Sequence, residues 1–173
     1  MLRTLASFLL ALAFGASAAA PAVDGNAVGP VRIGMPASVI AKVVQVTSDR
    51  LESDSEGGQV RMIRMVIAGT EAAAEVHEGR IWRIEVAVPG TRTLGGIGVS
   101  TPLATLLKLP QLQGEIGEGA LYVWSPQLCG LSFRLSHELQ TDRDFTTQWN
   151  GRSLASLPPT VTVRSLLVTG CAK

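Results

Sequence analysis

The chain has 173 residues, of which 46% are hydrophobic, 5% aromatic and 17% charged. That composition supports one packed domain or two small ones and excludes disorder over most of the length. Its 15 basic and 14 acidic residues give a formal net charge of +1, so no global field draws it to nucleic acid or an anionic membrane.

Met1-Leu2-Arg3 gives a short positive start, and Leu5 to Phe14 is an uncharged apolar run too short to span a bilayer. Ala16-Ser17-Ala18 and Ala18-Ala19-Ala20 then offer small-residue cleavage sites before Pro21. Residues 1–20 therefore read as a signal peptide cleaved near Ala18 or Ala20, and the expected compartment is the periplasm or the extracellular space. No later apolar stretch reaches the ~20 residues of a spanning helix, so no transmembrane segment is expected. Residues 21–27 are expected to be a disordered N-terminal segment.

Val31-Arg32-Ile33-Gly34-Met35-Pro36 leads into Ala37 to Val46, where Val39, Ile40, Val43 and Val46 recur at helical spacing. Strand character follows over Val60 to Ala68, Ala73 to His77 and Arg80 to Val88, with turn signals at Ala68-Gly69-Thr70 and Glu78-Gly79. Alternation in the last of these assigns Trp82, Ile84 and Val86 to one face. Ile97-Gly98-Val99-Ser100-Thr101-Pro102 leads into a second apolar helical pattern, Leu103, Leu106 and Leu107. Matching Ile33-Gly34 to Ile97-Gly98 sets an offset of 64 residues. Strand-like stretches return at Ala120 to Trp124, Gly130 to Ser136 and Thr160 to Thr169, around a polar loop, 138–159, that ends in Pro158-Pro159. The predicted fold class is α+β, built as two tandem repeats, 28–92 and 93–173. In each a short helix packs on the face of an antiparallel sheet.

The Ile33-Gly34-Met35-Pro36 arm before a short helix and strands resembles the helix-plus-sheet modules of bacterial envelope proteins, the SmpA/OmlA and β-lactamase inhibitor protein type. Residues 79–86, from Gly79 to Val86, the run Thr93 to Val99 and the terminal Gly170-Cys171 resemble small uncharacterised periplasmic proteins of that build. The resemblance implies an envelope protein that binds other proteins. It transfers no catalytic residue.

Cys129 and Cys171 are the only cysteines. In an oxidising compartment such a pair in one small domain is most simply a disulfide, and no C-x-x-C is present to make a redox couple. Glu52-Ser53-Asp54-Ser55-Glu56-Gly57 opens like a calcium loop, but its twelfth position is Ile63, so it reads as a solvated acidic turn. His77 and His137 lack partners at metal-ligand spacing, so neither a metal nor a cofactor is expected. Ser136-His137-Glu138 holds hydrolase residue types that point to alternating sides of a strand. Gly98-Val99-Ser100-Thr101-Pro102 fails as a nucleophile elbow at its last residue, and Leu94-Gly95-Gly96-Ile97-Gly98 lacks the third glycine of a nucleotide loop.

Arg61, Arg64, Arg80, Arg83 and Arg92 concentrate positive charge in mid-chain, and pairing with Glu75, Glu78 and Glu85 on the sheet surface is the plainest reading. Trp82 and Trp124 are expected in the core. Trp149 and Arg152, beside Asn150-Gly151 in the polar loop, are the candidate contacts for a partner. Together these readings point to a non-enzymatic periplasmic module whose partner is another envelope protein. The rivals are a small hydrolase using His77 or His137, and an inhibitor of an envelope hydrolase.

Overall fold

The computed structural model describes residues 20–53, 57–136 and 154–171. It overturns the α+β expectation. A three-stranded sheet comprises β1 (Val23–Asp24), β2 (Ala27–Val28) and β3 (Val31–Arg32). The body is one eight-stranded antiparallel sheet of β4 (Gln45–Ser53), β5 (Gln59–Ile67), β6 (Thr70–His77), β7 (Arg80–Val86), β8 (Gln113–Gly117), β9 (Ala120–Trp124), β10 (Leu131–Leu135) and β11 (Val163–Val168). Its spatial order is β4-β5-β6-β7-β11-β10-β9-β8. Two four-stranded meanders thus meet at their last strands, through Leu166↔Val86, Leu167↔Glu85 and Val168↔Ile84.

The two expected helices shrink to single turns, α1 (Ile40–Val43) and α2 (Leu103–Leu106), so no helical layer covers the sheet. Neither start has a side chain capping its free N–H groups. The first turn runs into β-branched residues, and Val44 is already extended at φ −143°. The second ends in Leu109-Pro110, where proline disfavours a further helical turn. Ile40 and Leu106 are the residues these turns bury completely, whereas Val43 and Leu107 face out.

The 64-residue offset is also corrected. The arm at Gly34 donates to Ile81 O and accepts at Met35 O from Ile81 N, while Ser100 donates to Val163 O and Thr101 O accepts from Val163 N. Pro36 bridges Arg80 as Pro102 bridges Thr162. The true equivalences are therefore two residues later, with Ser100 (φ 70°) holding the left-handed position that Gly34 (φ 80°) holds in the first arm.

Three hairpins have left-handed residues at both turn positions, Ala68-Gly69, Glu78-Gly79 and Glu118-Gly119. That pairing matches the twist of antiparallel strands, and it explains why the signals at Ala68-Gly69 and Glu78-Gly79 locate their strands well. The register lines up Val86, Leu166, Phe133 and Val123 across four strands, all fully buried. They share one core with Val23, Val28 and Val31, so 21–27 is not the expected disordered segment but part of the small sheet that covers this face.

The expected disulfide is present. Cys129 and Cys171 are joined with Cα atoms 5.1 Å apart, well inside the limit for a bridge. The β1–β2 turn is clamped over it: Gly25 O accepts from Gly170 N at 2.9 Å, and Asn26 Oδ1 accepts from Cys171 N at 2.9 Å. A side chain on Gly25 would meet Cys129 O at 1.8 Å. Gly25→Ala should therefore destabilise the fold by at least about 1–3 kcal/mol in urea titration, the usual range for overpacking. Replacing both cysteines by serine should lower stability by up to about 4 kcal/mol, the chain-entropy estimate for a 42-residue separation.

Candidate functional site

The sheet's second face carries the chemistry. Along it the register aligns Glu85, Leu167 and Ser132 in one row, and Ser165, Arg134, Tyr122 and Glu115 in the next. Leu167 and Ser165 are buried, yet the neighbouring strands leave two cavities above this face. One, of about 570 Å³, lies at the disulfide end among Arg83, Tyr122, Trp124, Leu128, Cys129 and Leu167. The other, of about 640 Å³, lies among Thr47, Arg64, Glu71, Glu85, Arg134 and Arg164.

Three register shifts shape this face. The pairings pass over Thr47 in β4, Trp82 in β7 and Arg164 in β11. A residue left over in this way bends its strand and re-aims its side chain. Thr47 and Arg164 line the second cavity. Trp82 is 59% exposed, which corrects its placement in the core: the extra residue breaks the two-residue alternation, so Ile81 and Ile84 face inward instead. Trp124, also expected in the core, is half-buried at the disulfide-end cavity.

Charges on the face are mostly paired. Arg83 lies 2.8 Å from Glu75 Oε2 and donates to Glu118 Oε1 at 2.8 Å. Burial opposes its charge, but Glu118 and Glu75 outweigh burial and raise its pKa. Tyr122 donates to Glu118 Oε2 at 3.4 Å. Burial, reinforced by the Glu118 carboxylate, pushes the Tyr122 hydroxyl above its ordinary value. Ser165 donates to Glu85 Oε1 at 2.6 Å.

The mid-chain arginines are divided among several separate partners. Arg61 grips Asp49 through two hydrogen bonds and holds its carboxyl below the usual range. Arg50 and Arg64 both donate to Glu52 and do the same there. Arg80 and Arg92 instead donate to backbone oxygens, Gly34 O and Gly96 O. Of the acidic partners expected, only Glu75 pairs with one of these arginines.

His77 ends β6 on the surface, its side chain 71% exposed, with Glu78 Oε1 at 3.8 Å and the Trp82 ring edge-on at 6.1 Å. It stands in neither cavity. His137, Trp149, Arg152, the signal segment to residue 19, acidic-turn positions 54–56 and loop positions 138–153 lie outside the described residues. Among the described residues no three His, Cys, Asp or Glu side chains gather to hold a metal ion, and no helix is long and apolar enough to cross a membrane. Sequence reasoning missed Arg134, Tyr122, Glu85 and Ser165, because these single polar residues alternate with apolar ones as on any half-exposed strand.

No protein-family model and no curated protein matches the chain. The chain is similar in fold to the crystal structure of the uncharacterized protein yfeY from Escherichia coli, with a TM-score of 0.58 at 16% identity. The match covers 86% of this chain and 99% of the other.

Tyr122 is the only tyrosine in the chain, so phenolate absorbance reports it alone. Its titration midpoint should lie above the ordinary tyrosine value, and Glu118→Gln should bring it down by removing the neighbouring negative charge. An unchanged midpoint in that variant would show that the Glu118 charge does not help to set it.

Proposed function

We propose that this chain is an exported, non-enzymatic envelope-interaction module that engages another protein through the second face of its sheet. The leader-like N-terminus and the Cys129–Cys171 disulfide support export. The observation that carries the binding role is the pair of half-buried aromatics Tyr122 and Trp124 lining an open cavity on the second face, with Trp82 exposed further along β7. Large aromatic side chains with a polar tip, flanked by arginine, are the residue types that dominate protein interfaces. A stiff sheet presents them with little ordering left to do on association. The rival hydrolase reading finds no support at His77, whose neighbours among the described residues are the exposed Glu78 and the Trp82 ring.

Photo-crosslinking in producing cells tests this reading. A photoreactive residue at position 82 or 124 should give an adduct of defined mass, whereas one at the exposed Lys42 on α1 should not. Adducts of equal yield at all three positions, or none from the second face, would sink it. Identification of the adduct as a hydrolase would select the inhibitor version.

A further inference from the structure

The geometry points to a second binding function: the cavity among Thr47, Arg64, Glu85, Arg134 and Arg164 takes a short zwitterionic peptide, two or three residues long with both termini free. The volume of about 640 Å³ falls within the roughly 300–1,000 Å³ typical of small-molecule sites. Both charge signs line it. Arg64 is taken by Glu52 at 2.9 Å, and Glu71 and Arg164 are exposed. Glu85 and Arg134 are the half-buried pair that remains.

Glu85 receives the Ser165 hydroxyl on Oε1 at 2.6 Å, which leaves Oε2 free to accept. Arg134 sits directly across from Ser165 on the adjacent strand, and Arg164 is the residue that the β11 bulge turns onto the same face. Neither arginine makes an ion pair among the described residues, and Arg134 is half-buried. A half-buried guanidinium that meets no carboxylate among the described residues is a ready partner for an incoming carboxylate. Glu85 and Arg134 therefore flank one serine with opposite charges and leave each other unpaired.

A purely anionic ligand would meet Glu85, and a purely cationic one the arginines. A ligand carrying both charges satisfies both. Glu85 and Arg134 lie two strands and one row apart, about 12 Å between backbones, and a dipeptide or tripeptide spans roughly 7–10 Å, the two side chains reaching over the remainder. The C-terminal carboxylate goes to Arg134 and Arg164, and the N-terminal ammonium to Glu85. This site stands apart from the partner-protein reading, because it needs neither Trp82 nor Trp124.

Calorimetric titration of the disulfide-bonded protein with trialanine is the test, against N-acetylated trialanine, trialanine amide and free alanine. Trialanine should bind, and blocking either end should weaken binding about tenfold, the loss of one charge-assisted contact. Arg134→Gln should reduce the preference for a free carboxylate, Arg134→Gln with Arg164→Gln should erase it, and Glu85→Gln should erase the preference for a free ammonium. Glutamine at 85 keeps an acceptor for Ser165, and an unchanged thermal midpoint confirms that the variants fold. No trialanine binding, or equal binding of the blocked forms, would overturn the proposal. Equally tight binding of free alanine would overturn the assignment of a peptide.

Discussion

Everything in this protein hangs on the antiparallel contact between β7 and β11. Three register pairs join the two meanders there, and without them the eight-stranded sheet would be two four-stranded ones, each with an additional open edge. One side of the seam is wholly apolar, with Val86 against Leu166 and Ile84 against Val168 at the centre of the core. The other side carries Glu85 beside Leu167, with Ser165 tied to Glu85 across the strands. The buried Ser165 hydroxyl finds its acceptor in one carboxylate oxygen of Glu85, so the seam can bring a charge to the middle of the sheet without stranding the hydroxyl.

That asymmetry explains how the two faces come to differ. The first face is covered by the arms, the helical turns and the small N-terminal sheet, and its apolar side chains join one continuous cluster. The extra residues at Thr47, Trp82 and Arg164 bend β4, β7 and β11, and at least two of them line a cavity on the second face. Bending carries a penalty in ladder pairing. Here it yields recesses on a sheet whose rear is immobilised by the core and by the disulfide clamp around Gly25 and Asn26.

Strands with both alternation and a strong turn pair were legible from the amino-acid sequence: β5, β6, β7, β9 and β10 fall within two or three residues of the expected spans. β4 was not, because its edge position lets it be polar along most of its length, and its Val46 continues the helical spacing of Val39, Ile40 and Val43 from the preceding turn. β8 holds two glycines in five residues, a composition that reads as a turn. The helices were over-read because apolar spacing of three and four residues appears wherever one turn buries two side chains, while length depends on caps that are missing here. The arm register slipped by two because Ser100 adopts a conformation usually left to glycine. The Cys129–Cys171 pairing needed no geometry, since only two cysteines exist.

The second face was illegible for a deeper reason, which also bears on what it does. Its polar residues are drawn one at a time from β7, β9, β10 and β11, so no local motif marks them; only the strand order brings them together. Motifs that announce catalysis depend on short loops at the ends of elements, where a nucleophile and its base can be held at an angle. Side chains standing on adjacent strands are instead spaced by the ladder, about 5 Å apart and roughly parallel. Such an array has the spacing that the proposed binding of an extended ligand requires. Glu85, Arg134 and Tyr122 lie in that kind of array, fixed by the pairings of four strands and held from behind by Leu166, Phe133 and Val123.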